Sequence, residues 1–137
     1  MPQIEGAQMT KFKFLHFVAL FVALLIGFAA LAHASFDEGK AAYDRGQGVP
    51  EDHAEAIKWY RKAADQGVPQ AEYNLGLMYA RGQAVAKDNV EALKWLRKAA
   101  EHGCAEAQRL LGAMYYLGQG VAKDDVEAAK WLNKATE

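Results

Sequence analysis

The chain has 137 residues, of which 52% are hydrophobic and 24% are charged, and its formal net charge is -1. This length and composition are those of one globular domain and leave no room for a second. Acidic and basic residues are interleaved without a basic stripe that could neutralise phosphates, which argues against a nucleic-acid partner.

The N-terminal segment differs from the rest of the chain. Lys11 and Lys13 precede an apolar run at residues 14–31, and a small-x-small triplet follows at residues 32–34. A basic end, an apolar helix and small residues for a peptidase pocket are the parts of a secretory signal. The sequence therefore predicts a signal peptide at residues 1–34, cleaved between Ala34 and Ser35, and a periplasmic or secreted protein.

Two questions about this leader stay open at the sequence level. An uncleaved membrane anchor is the alternative, since the apolar run approaches the ~20 residues that span a bilayer. The chain would then contact a membrane; the small-x-small triplet favours cleavage. Either Met1 or Met9 can be the initiator, because a start at Met9 gives a shorter and purely basic leader.

The remaining residues, 35–137, carry an internal repeat with a period of 36 residues, marked by Trp59, Trp95 and Trp131. Residues 67–101 and 103–137 are identical at 21 of 35 positions. A fixed period of this length is typical of repeat proteins. The sequence predicts three repeats, at about 35–66, 67–102 and 103–137.

Apolar residues recur at helical spacing within each period, which predicts one helix pair per repeat. The expected helices are 36–45, 52–66, 70–81, 88–102, 105–117 and 124–136. Their starts and stops follow capping rules: aspartates should cap three N-termini and glycines should end two helices in a left-handed conformation. These residues are Asp52, Asp88, Asp124, Gly67 and Gly103.

Gly76 and Gly112 fall in mid-helix, where glycine costs about 1 kcal/mol relative to alanine. The cost predicts a close helix-to-helix approach, with the tryptophan of the neighbouring helix packing over each glycine. The repeated tryptophans and tyrosines are accordingly expected in the core.

Three segments carry a family resemblance: A-x-x-x-L-G-x-M-Y from Ala71 and Ala107, G-x-x-V-x-x-D from Gly82 and Gly118, and A-x-x-W-L-x-K-A from Ala92 and Ala128. They closely resemble the Sel-like repeat, a relative of the tetratricopeptide repeat. The resemblance covers residues 35–137, with a degenerate first helix that is expected to act as a cap.

The resemblance implies an all-α, right-handed α-solenoid of about three helix-turn-helix repeats. It also implies an adaptor that binds other proteins, with exported bacterial relatives in envelope signalling, assembly, polysaccharide systems or host contact. A cysteine-rich branch of the family pairs two cysteines per repeat, and this chain has one cysteine.

Residues suited to catalysis are scarce after the leader, since Ser35 and Thr136 are its only aliphatic hydroxyl residues. His53 and His102 lie at helix ends that vary between repeats and are interpreted as solvated. The sequence therefore predicts no enzyme, no cofactor and no metal. Cys104 is the exception: near a helix N-terminus its pKa can fall, so a small exported hydrolase or redox protein with a reactive thiol is the alternative.

Partner binding is expected on residues that vary between repeats. On the first helix of each pair they occupy the face away from the core, which should form the concave surface of a solenoid. The candidate partner-binding residues are Tyr73, Asn74, Leu77, Arg109 and Tyr116. Three helix pairs can also leave apolar end surface open, which would favour self-association.

Overall fold

The computed structural model describes residues 2–45 and 50–137, with side chains over residues 6–44 and 53–137. These ranges are helical and contain no strand, which confirms the all-α class. The helices are α1 (Pro2–Arg45), α2 (Pro50–Asp65), α3 (Pro69–Arg81), α4 (Asn89–Glu101), α5 (Ala105–Leu117) and α6 (Asp125–Lys134).

The chain divides into two compact units, residues 1–31 and residues 32–137. The first unit holds the apolar run: the most apolar window within Gly6–Asp44 has a mean hydropathy of 2.6 and no buried residue. Its length and composition would suit a membrane-crossing helix, and a signal sequence has the same character. Helix α1 begins at Pro2 instead of residue 36, because the leader is rich in helix-forming alanine and leucine.

The second unit is built by adjacent helices packing in chain order: α2 on α3, α3 on α4, α4 on α5 and α5 on α6. The residues predicted to face inwards do so, since Ala71, Leu75, Ala107 and Leu111 are all fully buried. Two clusters form the core, one between α1, α2 and α3 with Trp95, the other between α4, α5 and α6. Each helix pair thus covers its neighbour, as in a repeat protein.

Helix termini follow the predicted caps. The Asp88 carboxylate accepts hydrogen bonds from the N–H groups of Val90 and Glu91, both at 3.0 Å, and Asp124 repeats this geometry at α6. Gly67 and Gly103 have φ values of +79° and +91°, the left-handed conformation expected after a helix. The prediction for Asp52 concerns a side chain outside the described residues, and α2 begins two residues before it.

The mid-helix glycines allow close approach, as predicted, but the residue that fills the space was predicted wrongly. A Cβ at Gly76 would lie 2.8 Å from Cγ of Leu96, and a Cβ at Gly112 would lie 2.8 Å from Cγ of Leu132. Successive residues point about 100° apart around a helix. Trp95, one position before Leu96, therefore faces away from the glycine, and Lys98 lies over its ring, 4.5 Å from the centroid.

Neighbouring repeats are joined by an arginine–tyrosine contact that the sequence analysis missed. The Arg61 guanidinium donates a hydrogen bond of 2.6 Å to the Tyr79 hydroxyl. The Arg97 guanidinium donates a hydrogen bond to the Tyr115 hydroxyl. Arginine and tyrosine both recur at the 36-residue period, so the sequence could have suggested that they pair. Asn133 replaces the arginine in the third repeat.

The turn after α3 holds Ala84 at φ +61°, whereas the matching Gly120 has φ +71°. Alanine is strained in this conformation and glycine is not. We expect Ala84→Gly to stabilise the protein by about 1 kcal/mol. Gly120→Ala should destabilise it by about 2 kcal/mol, because its Cβ would also lie 2.7 Å from the Asn89 carbonyl oxygen. Urea unfolding measures the free energy of unfolding of both variants. A change of the same sign in both would contradict this interpretation.

Candidate functional site

A groove of about 550 Å³ lies between the repeat-forming part of α1 (residues 32–45) and α3, and we name it the inter-repeat groove. Its lining combines aromatic rings, carboxamides and charges of both signs. The lining residues are Phe36, Lys40, Tyr43, Asp44, Tyr60, Gln70, Asn74, Leu77, Arg81 and Glu106.

Three aromatic rings form one side of the groove. The Tyr60 ring centroid lies 6.0 Å from that of Phe36 and 6.4 Å from that of Tyr43, within the range of favourable ring contacts. Tyr60 is 1% exposed. Its burial raises the pKa of its hydroxyl to about 12, while a hydrogen bond to Asn74 acts the other way. The phenol therefore stays neutral at physiological pH and fixes the Asn74 side chain.

The end of the groove at Tyr43 is held by polar contacts. The Tyr43 hydroxyl donates to Oε1 of Gln83 at 3.3 Å and accepts from Nη1 of Arg81 at 3.4 Å. Both partners lie at or just beyond the end of α3, so these bonds join the first repeat to the second. The His53 ring lies 5.2 Å from the Tyr43 ring, so His53 packs on an aromatic neighbour instead of being simply solvated.

The five candidate partner-binding residues are divided by the structure. Asn74 and Leu77 line the inter-repeat groove. Arg109 and Tyr116 are exposed on α5, outside the groove lining. Tyr73 is half-buried against the second core cluster, and this burial raises the pKa of its hydroxyl.

Several of the groove residues that sequence reasoning missed lie on α1. Phe36, Lys40 and Tyr43 are spaced i, i+4 and i+7, so they share one face of the helix. The first helix had been interpreted as a degenerate cap because it lacks the repeat's leucine and glycine. The spacing of its aromatic residues could have predicted that they share one face of the helix and line a groove.

Cys104 does not have the properties expected of a reactive thiol. Its side chain is 7% exposed at the N-cap of α5, and burial raises the pKa of the thiol. The Glu106 carboxylate, which accepts a hydrogen bond from Sγ at 3.5 Å, acts in the same direction. The lowered pKa that the alternative of a reactive thiol requires is not found, since burial outweighs the helix N-terminus.

His102 is exposed and also contacts a buried carboxylate. Its Nδ1 atom lies 2.8 Å from Oε2 of Glu72, whose side chain is 2% exposed, and the imidazole itself is half exposed. A buried carboxylate needs such a partner. The contact with Glu72, which lies 30 residues away in sequence, was not predicted. Over the described part of the chain, no group of three or more His, Cys, Asp or Glu side chains could hold a metal ion.

A family model decides the relationship of the chain to known proteins. The Sel1 repeat matches residues 32–68, 69–104 and 105–137. The chain is a Sel1-repeat protein. This confirms the resemblance noted above and the helical-repeat fold, and it places the chain in a family of non-catalytic scaffolds that mediate protein–protein interaction.

Solved structures agree with this assignment. A protective antigen of uropathogenic Escherichia coli strains, with an SLR fold, is 42% identical with a TM-score of 0.72, over 79% of this chain and 23% of that one. A Sel1 repeat protein from Oxalobacter formigenes is 41% identical with a TM-score of 0.70, over 77% and 43%. Cysteine-rich protein B of Helicobacter pylori is 28% identical with a TM-score of 0.58, over 59% and 61%.

The Sel1-repeat chain spans less than two thirds of the length of each of these three proteins. Their complete architectures therefore extend beyond what this chain matches. No curated protein matches it.

Proposed function

We propose that this Sel1-repeat protein is an exported module that holds a protein partner in the inter-repeat groove and on the adjoining face of α5. The observation that carries the proposal is the groove itself, about 550 Å³ of concave space with aromatic rings beside charged side chains. Buried aromatic and arginine anchors supply most of the energy in protein interfaces.

The charges of the groove are balanced. Lys40 and Arg81 contribute positive charge, and Asp44 and Glu106 contribute negative charge. A surface of one sign would favour a highly charged ligand such as a nucleic acid. Balanced charges around aromatic rings suit a protein segment with an apolar anchor and polar flanks.

Export is the second part of the proposal. Residues 1–34 would be a signal peptide that leaves residues 35–137 in the periplasm or outside the cell, with membrane anchoring as the alternative. The apolar leader supports this. The similarity to a protein described as a protective antigen also supports this. Envelope assembly, signalling or host contact is the setting we infer.

The binding surface is tested with two groups of variants. Envelope fractions supply partners for capture, and the affinity of the purified partner is then measured. We expect Leu77→Asp to weaken binding at least about tenfold, as for an interface hot spot. The double variant Arg109→Ala with Tyr116→Ala should also weaken binding, because both side chains lie on the proposed face of α5. Lys94→Ala on α4 is the matched control, since Lys94 is exposed outside the groove.

Melting curves accompany every variant, so that loss of binding is separated from loss of fold. Unchanged affinity for Leu77→Asp in a folded protein would remove the groove from the proposal. Cys104→Ala tests the thiol-enzyme alternative in the same preparation. An activity that disappears in Cys104→Ala, with no captured partner, would overturn the interaction module.

A further inference from the structure

The bond predicted for leader cleavage lies inside the first repeat. Ala32 is 4% exposed and belongs to the first core cluster, and Ser35 is 2% exposed. Both lie in α1, and the first Sel1-repeat match begins at residue 32. The Ala34–Ser35 bond is therefore flanked by residues of the folded unit.

A peptidase needs its substrate in an extended conformation for several residues around the cut, whereas these residues are helical, with Ala32 and Ser35 buried and His33 and Ala34 exposed. Cleavage of a folded segment requires that segment to open first. We propose that folding of the first repeat closes the cleavage site, so that leader removal must precede the packing of α1. This inference rests on the proposed export, and a chain that folds before it is cut would remain membrane-anchored.

The order of cleavage and folding is tested with the full-length protein in detergent micelles with purified signal peptidase. One sample is folded before the enzyme is added, and the other is diluted from urea at the moment of mixing. We expect the folded sample to be cut at least about ten times more slowly. Leu75→Ala, which removes a fully buried core side chain, should speed cleavage of the folded sample.

Equal cleavage of folded and freshly diluted protein would overturn this inference and leave the signal peptide intact. Absence of cleavage in both samples would overturn the signal peptide as well, and would favour the anchor. N-terminal sequencing of the product must give Ser35, and any other first residue would contradict the assigned bond.

Discussion

Gly76→Leu is expected to destabilise the protein by about 3 kcal/mol, the upper part of the range for overpacking a core. A Cβ at this position would lie 2.8 Å from Cγ of Leu96 and 3.3 Å from the backbone oxygen of Ala92. Leu96 is fully buried and cannot move aside. The gain in helix propensity on replacing glycine, under about 1 kcal/mol, does not offset this clash.

Gly112→Leu is the matched comparison. Its Cβ would meet Leu132 at the same distance, 2.8 Å, but Leu132 is 42% exposed. That side chain can rotate towards solvent, but the Ala128 backbone oxygen, which would lie 3.1 Å from the added Cβ, cannot. The loss should therefore be smaller than at Gly76, about 2 kcal/mol. Urea unfolding of both variants gives the two free energies of unfolding. A loss at Gly76 no larger than that at Gly112 would show that close helix approach does not explain the mid-helix glycine.

His102→Ala is expected to destabilise the protein by about 2–3 kcal/mol at neutral pH, because it leaves the buried Glu72 carboxylate without its imidazole partner. The equivalent position in the third repeat holds a neutral side chain. Gln108, 36 residues after Glu72, is 4% exposed and donates a hydrogen bond of 3.0 Å to the Ala100 carbonyl oxygen. The second repeat thus buries a charge where the third buries an amide.

The double variant Glu72→Gln with His102→Ala should therefore recover most of the lost stability. A glutamine at position 72 can donate to the Ala64 carbonyl, the counterpart of Ala100 in the preceding repeat. Chemical unfolding of the single and double variants forms a mutant cycle that isolates the interaction. If Glu72→Gln gave no recovery in the His102→Ala background, the hydrogen bond between Glu72 and His102 would not be what makes His102 important.

Local features of the fold were predictable because they depend on residues close in sequence. Asp88 and Asp124 cap helices through backbone groups two and three residues away, and Gly67 and Gly103 end helices in a left-handed conformation. The start of α1 was not predicted, because the helix runs from the leader into the first repeat without a break.

Contacts between helices were predicted less well. Leu96 and Leu132 pack over Gly76 and Gly112, and the tryptophans do not. The rotation of one helix against another decides which side chain faces the glycine. The groove was half predicted: Asn74 and Leu77 were named, whereas Phe36, Lys40 and Tyr43 were not. Phe36 and Lys40 have no counterpart in the other repeats, and Tyr43, which follows the 36-residue period, was expected in the core.

The sequence by itself determined the repeat period, the helix pairs and the residues that cap them, since spacing and capping are properties of neighbouring residues. Only the tertiary structure decided that Glu72 is buried against His102, that Cys104 is buried with a raised pKa, and that Ser35 is buried. Each of these depends on burial, which is fixed when separate helices pack together.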